Sequence, residues 1–393
     1  MPGSYIVAGA RTPIGKMSGA FSSLSAADLG GFAIAAALQR ANVRPEEVEH
    51  VIMGQVLMAG QGQVPARQAA VKAGIPMSVP SININKVCLS GLNAIYQADQ
   101  MIASGEADII VAGGMESMTN APYIANGARG GFRYGNTELA DAIINDGLWC
   151  AFDACLMGLG TDRYSAGTIS RDEQDELAMK SHQRAAAAIA SGKFVDEIVP
   201  VSMAQRKGDP IIVDTDEGVR ASTTMESLGG LKPAFDKDGT VTAGNASQIS
   251  DGASAMVIMS KREAEKRGVK PLGEFVGYGM VAGPDSASLL QQPSRSILRA
   301  LERAGKQLSD IDLFEINEAF AAVGVASMRD LGISDDVVNV NGGAIALGHP
   351  IGMSGNRIAL TLLHELHRRG GGMGAAALCG GGGQGDALLI QTI

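Results

Sequence analysis

Ser81-Ile82-Asn83-Ile84-Asn85-Lys86-Val87-Cys88-Leu89-Ser90-Gly91 is the stretch on which the fold turns. Ser81 to Val87 reads as a strand, with apolar and polar residues alternating as far as Asn85. Cys88 then stands at the mouth of an apolar run at helical spacing, Ser90 to about Ser104, which Gly105 stops. Val337-Val338-Asn339-Val340-Asn341 mirrors the strand, and a second helical run, Met353 to Arg369, follows it. A further strand-like run, Gly374 to Leu378, leads into Cys379 and the glycines Gly380 to Gly383. The two cysteines are therefore expected at matching places in two related βαβ-like units.

Working outward, Ser4–Ala10 reads as a buried strand and Arg11-Thr12-Pro13-Ile14-Gly15 as a turn. Ser25–Ala41 and Val64–Ala73 read as helices, and Val48–Val56, Asp108–Ala112 and Ala387–Ile393 as strands. Alternation of this kind predicts an α/β sheet with covered faces, built from a duplicated unit. Between the halves, Ala121 to Asn245 lacks the alternation. Its clearest signal is the capping box Ser170-Arg171-Asp172-Glu173, opening a helix that ends near Gly192. An insertion of this length is expected to cover a ligand site. The predicted division is 1–120, 121–250 with its chain returning to the first half near the end, and 251–393.

Composition narrows the classes. The 393 residues are 46% hydrophobic, enough for a large core, and the apolar runs are too short to span a membrane. Met1 to Val7 lacks a basic region before an apolar segment, so no secretory leader is expected. Four cysteines in so long a chain point to thiol chemistry in a reducing compartment. A net charge of −9 argues against nucleic-acid binding. The 52 glycines are nearly twice the usual ~7%, a sign of tight turns and close backbone approaches.

Cys88 near a helix N-terminus is favoured as a thiolate by the helix dipole, although a structural buried cysteine is the plainer alternative. His349, between glycines and Pro350, can serve as acid, base or oxyanion donor, or merely pack in a turn. His364 and His367 fit a last helical turn better than a metal site. Cys150 and Cys155 lack zinc spacing, so no metal is expected. Gly380–Gly385 invites a dinucleotide reading, but a strand rather than a helix follows, so N–H groups for an oxyanion are the better use. Asn317-Glu318-Ala319-Phe320 reads as a helix start capped by Asn317, or as a polar group fixing a water.

Taken together, Cys88-Leu89-Ser90-Gly91, Asn317-Glu318-Ala319-Phe320, Gly348-His349-Pro350 and Cys379-Gly380-Gly381 resemble the active-site motifs of thiolases. The resemblance runs from Arg11-Thr12-Pro13 to the terminal glycine loop. It implies a five-layered αβαβα fold of two similar halves with an inserted loop domain, and a cytoplasmic homotetramer with Gly127–Gly135 as a contact between dimers. The implied reaction interconverts two acetyl-CoA with acetoacetyl-CoA and free coenzyme A, which is a substrate and not a resident cofactor. By matching positions, Cys88 carries the acyl group, His349 activates it, and Cys379 exchanges the α-proton. The N–H groups of Cys88 and Gly381 form an oxyanion hole, and Asn317 holds a water beside His349. For coenzyme A the resemblance implies Arg220 and Ser227 at the nucleotide end. It implies Phe235, Ala243 and Ser247 along the chain, and Leu148, Met157, Ala319 and Phe320 at the acyl end.

Leu89, where many members carry Gly, is expected to narrow the space behind the nucleophile, and Leu156 replaces a histidine common in short-chain members. Alternatives are a thiolase of broader chain length in fatty-acid degradation, a decarboxylating condensing enzyme and a non-catalytic acyl-CoA or lipid carrier. Cys379 speaks against the condensing enzyme, in which a histidine usually stands there. The full set of Cys88, His349 and Cys379 speaks against the carrier.

Overall fold

The first half of the chain builds strand β1 (Ser4–Arg11), helix α1 (Ala26–Ala41), β2 (His50–Gly54), α2 (Pro65–Lys72), β3 (Ser81–Ile84), α3 (Ser90–Ser104) and β4 (Ile109–Ser117). An irregular excursion holds α4 (Met157–Ser165) and α5 (Arg171–Ala190), and β5 (Ser250–Ser260) follows it. The second half builds β6 (Gly273–Ala282), α6 (Gln292–Ala304), β7 (Leu313–Ile316), α7 (Ala321–Leu331), α8 (Ser354–Arg368), β8 (Met373–Gly380) and β9 (Gln384–Thr392). This is a computed structural model that describes residues 3–205 and 207–393. Met1 and Pro2, at the head of the stretch read as lacking a leader, lie outside the described residues.

Local chemistry sets the element ends. Ser25 caps α1 and Ser170 caps α5, each with the reciprocal bond of a capping box, from Asp28 and Glu173. Gly105 ends α3 at φ 79°, a conformation that costs glycine little.

The duplication is written in the sheet. The first half runs β1–β5–β4–β2–β3, antiparallel across the first two pairings and parallel across the next two. The second runs β6–β9–β8–β7 with the same senses, and a parallel bridge from Phe314 to Val338 takes the fifth place. Even the register slips match, between Ile6 and Ala8 in β1 and between Phe275 and Gly277 in β6. Tyr5 with Glu274 and Ile6 with Gly273 join the two halves edge to edge.

Packing gives five layers. Helices α1 and α2 cover the outer face of the first half through Ile34, Ala37 and Ala69. Helices α3 and α8 lie between the sheet halves, with Leu92, Ile95, Ile358 and Leu362 packed in one core with Ile110 and Leu388. Helix α6 covers the far face through Ile297 and Leu301.

Three expectations are corrected. Residues 337–341 do not form a strand, because the Asn339 side chain takes both backbone bonds of Ile316 that a ladder would use (2.9 and 2.8 Å). The boundary after residue 250 is displaced: β5 pairs with β1 and β4, so the first half closes only after it. The two cysteines are not equivalent. Gly54 faces Gly114 as Ile316 faces Ala377, so Glu116 is the first-half counterpart of Cys379. Helices α3 and α8 open on Ser90-Gly91 and Ser354-Gly355, so Cys88 matches Gly352.

Candidate active site

Cys88 sits in a turn that the chain makes rigid. Val87 is held at φ 51°, a conformation a β-branched residue rarely adopts, and the Ser90 hydroxyl donates to the Val87 carbonyl at 2.6 Å. His349 occupies a loop that ends at the start of α8. Backbone contact between the two segments brings them together. A Cβ on Gly114 would lie 2.1 Å from the Gly352 carbonyl oxygen, and one on Gly91 2.9 Å from the same atom. Strand β4, helix α3 and the His349 loop therefore meet at a distance that excludes side chains.

Cys88, His349 and Cys379 line one small pocket of about 50 Å³, together with Val87, Leu289, Ala319 and Gly381. A water needs roughly 10–15 Å³ on this scale, so the pocket suits a group of a few heavy atoms. Burial pushes the Cys88 thiol up to about 12, against the opposing effect of the Cys88 and Gly381 N–H groups; the Glu116 charge adds to the rise. Burial therefore works against the ionised thiol that a position just before a helix would favour. Burial raises the Cys379 thiol further, and the neighbouring Cys88 adds to this. Burial, then the Arg357 cation, lowers His349 to about 3, which keeps its imidazole neutral.

Second partners orient that ring. Ser354 Oγ lies 2.6 Å from His349 Nδ1 and donates to the Pro350 carbonyl at 3.0 Å. With the hydroxyl proton so placed, Nδ1 carries hydrogen and Nε2 faces the pocket as an acceptor. Asn317 Nδ2 is 3.4 Å from Nε2, and Asn317 Oδ1 is buried without a hydrogen-bond partner among the described residues. Asn317 does not cap a helix: α7 starts at Ala321, with Phe320 in the cap position. Glu318, beside it, accepts from Ser181, Asn339 and the Ile345 N–H at 2.6–3.1 Å, which ties α5 to the site.

Outward from the pocket runs a cleft of about 570 Å³, within the range of small-ligand sites. Leu148, Met157, Arg220, Phe235, Ala243, Ser247 and Phe320 line it, and Ala319 lines the inner pocket. Phe235 lies against Gly158, where a Cβ would be 2.2 Å from the ring. Ser227 lines neither. It is exposed at a short helix start, where its hydroxyl completes the Thr224 cap. Leu89 is fully buried, and a Cβ on Gly380 would lie 2.7 Å from its Cγ, so glycine in β8 accommodates its bulk. Leu156 lines the cleft.

Several positions at the site escaped sequence reasoning. Lys16, Gln248 and Ile249 line the cleft, and Leu289 closes the pocket. Glu116 accepts the N–H groups of Val56, Leu57 and Gly352 at 3.0–3.1 Å. A charged residue inside the apolar run of β4 was the available signal for it.

The comparisons agree with this architecture. Residues 4–262 match the family model described as "Thiolase, N-terminal domain", and residues 269–392 match "Thiolase, C-terminal domain". A protein of Mycolicibacterium smegmatis named "Probable acetyl-CoA acetyltransferase" is 57% identical over 98% of this chain and all of its own length. Proteins named "Acetyl-CoA acetyltransferase" from Cupriavidus necator and Chromobacterium violaceum are 51% and 50% identical, over 98% of each chain. Two profiles that together span nearly every residue, and relatives of this identity, make the chain a member of the thiolase family.

Proposed function

We propose that the chain is an acetyl-CoA C-acetyltransferase, which joins two acetyl-CoA into acetoacetyl-CoA and free coenzyme A, or runs the reverse thiolysis. The observation that carries the proposal is the convergence of Cys88, His349 and Cys379 on a pocket of about 50 Å³ at the inner end of a cleft of about 570 Å³. The small inner pocket favours an acetyl group over a long acyl chain.

In the first half-reaction, His349 Nε2 takes the Cys88 proton as the sulfur attacks the thioester carbonyl. The oxyanion is received by the Cys88 and Gly381 N–H groups. Coenzyme A leaves with the proton from His349, and the acetyl group remains on Cys88. In the second, Cys379 removes the α-proton of a second acetyl-CoA, and its enolate, held by Asn317 and His349 through a water, attacks the acetyl-Cys88 carbonyl; the C–S bond to Cys88 then breaks, acetoacetyl-CoA leaves, and the Cys88 thiolate recovers the proton held on Cys379. Two neutral thiols of raised pKa suit this order, since each ionises only when its proton has a receiver. Coenzyme A is a substrate lying along Phe235 and Ser247, with Arg220 at the nucleotide end and no resident cofactor.

The assembly proposed is a homotetramer, with the Gly127–Gly135 excursion as its contact; Tyr123, Phe132 and Tyr134 are exposed on and beside it. Cytoplasmic residence is proposed from the four unpaired cysteines. The test is the thiolysis rate across 3-ketoacyl-CoA substrates of increasing length. Activity should be highest on acetoacetyl-CoA and fall steeply beyond it, and Cys88→Ser should lose it. A flat or rising profile would replace this reading by a broad-range thiolase.

A further inference from the structure

The duplicated sheet puts a carboxylate where its other copy carries a catalytic thiol. Glu116 in β4 stands as Cys379 stands in β8, and each faces a glycine of the neighbouring strand, Gly252 and Gly385. The side chain is fully buried. One oxygen accepts from Val56 and Gly352 at 3.0 Å each, and the other accepts from Leu57 at 3.1 Å. All three partners are donors, so a carboxylic proton would point at an N–H; burial nevertheless pushes the carboxyl up to about 7 against these three bonds, with Asp251 adding to the rise, so the charge is complete only above neutral pH.

We propose that Glu116 is a positioning residue of the acyl-transfer centre: its carboxylate ties Gly352, and with it the His349 loop, to the Val56–Leu57 turn, and keeps a negative charge beneath Cys88 so that the thiol yields its proton only to His349. Gly352 follows His349 by three residues. Val56, Leu57 and Ile351 belong to the apolar cluster against which Cys88 packs, so the clamp joins both sides of the proton transfer. The other ionisable groups around Cys88 are His349 and Cys379 across the pocket, Asp251 beside Glu116, and Lys86, which is committed to Asp386 at 2.7 Å. Glu116 is thus the fixed charge below the thiol that has backbone donors on both sides of the site. The inference rests on Cys88 acting as the acyl carrier.

Glu116→Gln keeps the shape and one acceptor oxygen but removes the charge and turns an NH2 group toward an N–H. Two readouts should move in opposite senses. Thiolysis kcat should fall about 10–100-fold with KM within about threefold, as for loss of a residue that orients another. The rate of iodoacetamide alkylation of Cys88 at about pH 8.5 should rise about threefold or more, because a neighbouring negative charge has gone. A merely structural role would lower thermal stability without advancing alkylation. If either readout stays at its wild-type value, the proposal is overturned. Glu116→Asp retains the charge but withdraws it by a methylene, so it should lose kcat while the alkylation rate stays; kcat within about twofold of wild type there would overturn the clamp even if the Gln variant does not fold. Failure of the underlying reading is distinguishable, since wild-type protein would then form no acetyl-Cys88.

Discussion

His349 carries the clearest pH signature of any single residue. Its ordinary pKa of ~6.5 in the unfolded chain drops to about 3 on burial, with Arg357 contributing. Between those values the unfolded chain binds a proton that the fold refuses, so stability falls as pH drops through 6.5. At pH 5 the contribution is about 2 kcal/mol relative to neutral pH. His349→Gln should remove that part of the slope in urea unfolding measured at pH 5 and 7; an unchanged slope would mean that the ring is solvated in the fold. At the same scale, Cys379→Ala should still form acetyl-Cys88, detectable by mass, while exchange of the α-proton for deuterium stops. Cys88, His349 and Cys379 were legible as candidates because each stands at an element end within a short motif, Cys88-Leu89-Ser90-Gly91, Gly348-His349-Pro350 and Cys379-Gly380-Gly381. Their ionisation was not, because it depends on burial that no local spacing encodes. Ser227 stands apart from the others, exposed outside the cleft with its hydroxyl bonded within its own short helix.

Elements meet here backbone to backbone, and that contact was invisible in the pattern of strands and helices. The alternation that gave β1, α1, α3 and α8 records which faces are apolar, but the junction of α3, β4 and the His349 loop depends on glycines that leave no periodic trace. Gly114→Ala would place a Cβ 2.1 Å from the Gly352 carbonyl oxygen. The expected cost is about 3 kcal/mol or more, with kcat lowered through displaced His349, because backbone cannot retreat as a side chain can. Calorimetry and kinetics on the purified variant would check it, and a change in Tm below about 1 °C would contradict the packing. By contrast, Ser170→Ala at the start of α5 should cost about 1 kcal/mol, the usual loss for an N-cap. The capping box of α5 was readable because its whole mechanism lies within four residues. The fifth strand of the second half was misread because Asn339, already distant in sequence from Ile316, supplies from its side chain what a strand supplies from its backbone.

The molecule as a whole is tied together by charges drawn from its far parts. Arg11, at the end of β1, is fully buried and bonds Glu197 at 2.6 Å and Asp216 at 2.7 Å, both from the excursion. Burial lowers its pKa, but the two carboxylates more than reverse this, so the guanidinium is securely charged. Arg11→Met would strand two buried carboxylates and should cost about 3–5 kcal/mol, measured by denaturant unfolding, with faster proteolysis near residues 197–216. A loss under about 1 kcal/mol would mean that the excursion is held by its apolar contacts alone. The duplicated sheet could be inferred from paired sequence patterns, yet the closing of the first half by β5 could not, since the partner strand arrives only after the whole excursion. That arrival has a further meaning. Ser117 at the end of β4 faces Asp251 at the start of β5, so the segment that supplies most of the cleft lining leaves and re-enters the scaffold at one adjoining pair of residues. Such a hinge-like doorway lets a lineage exchange one cap for another while the reacting sulfurs stay where the framework put them, and a chimera grafted at that seam from a relative of different appetite is the natural way to transplant substrate preference.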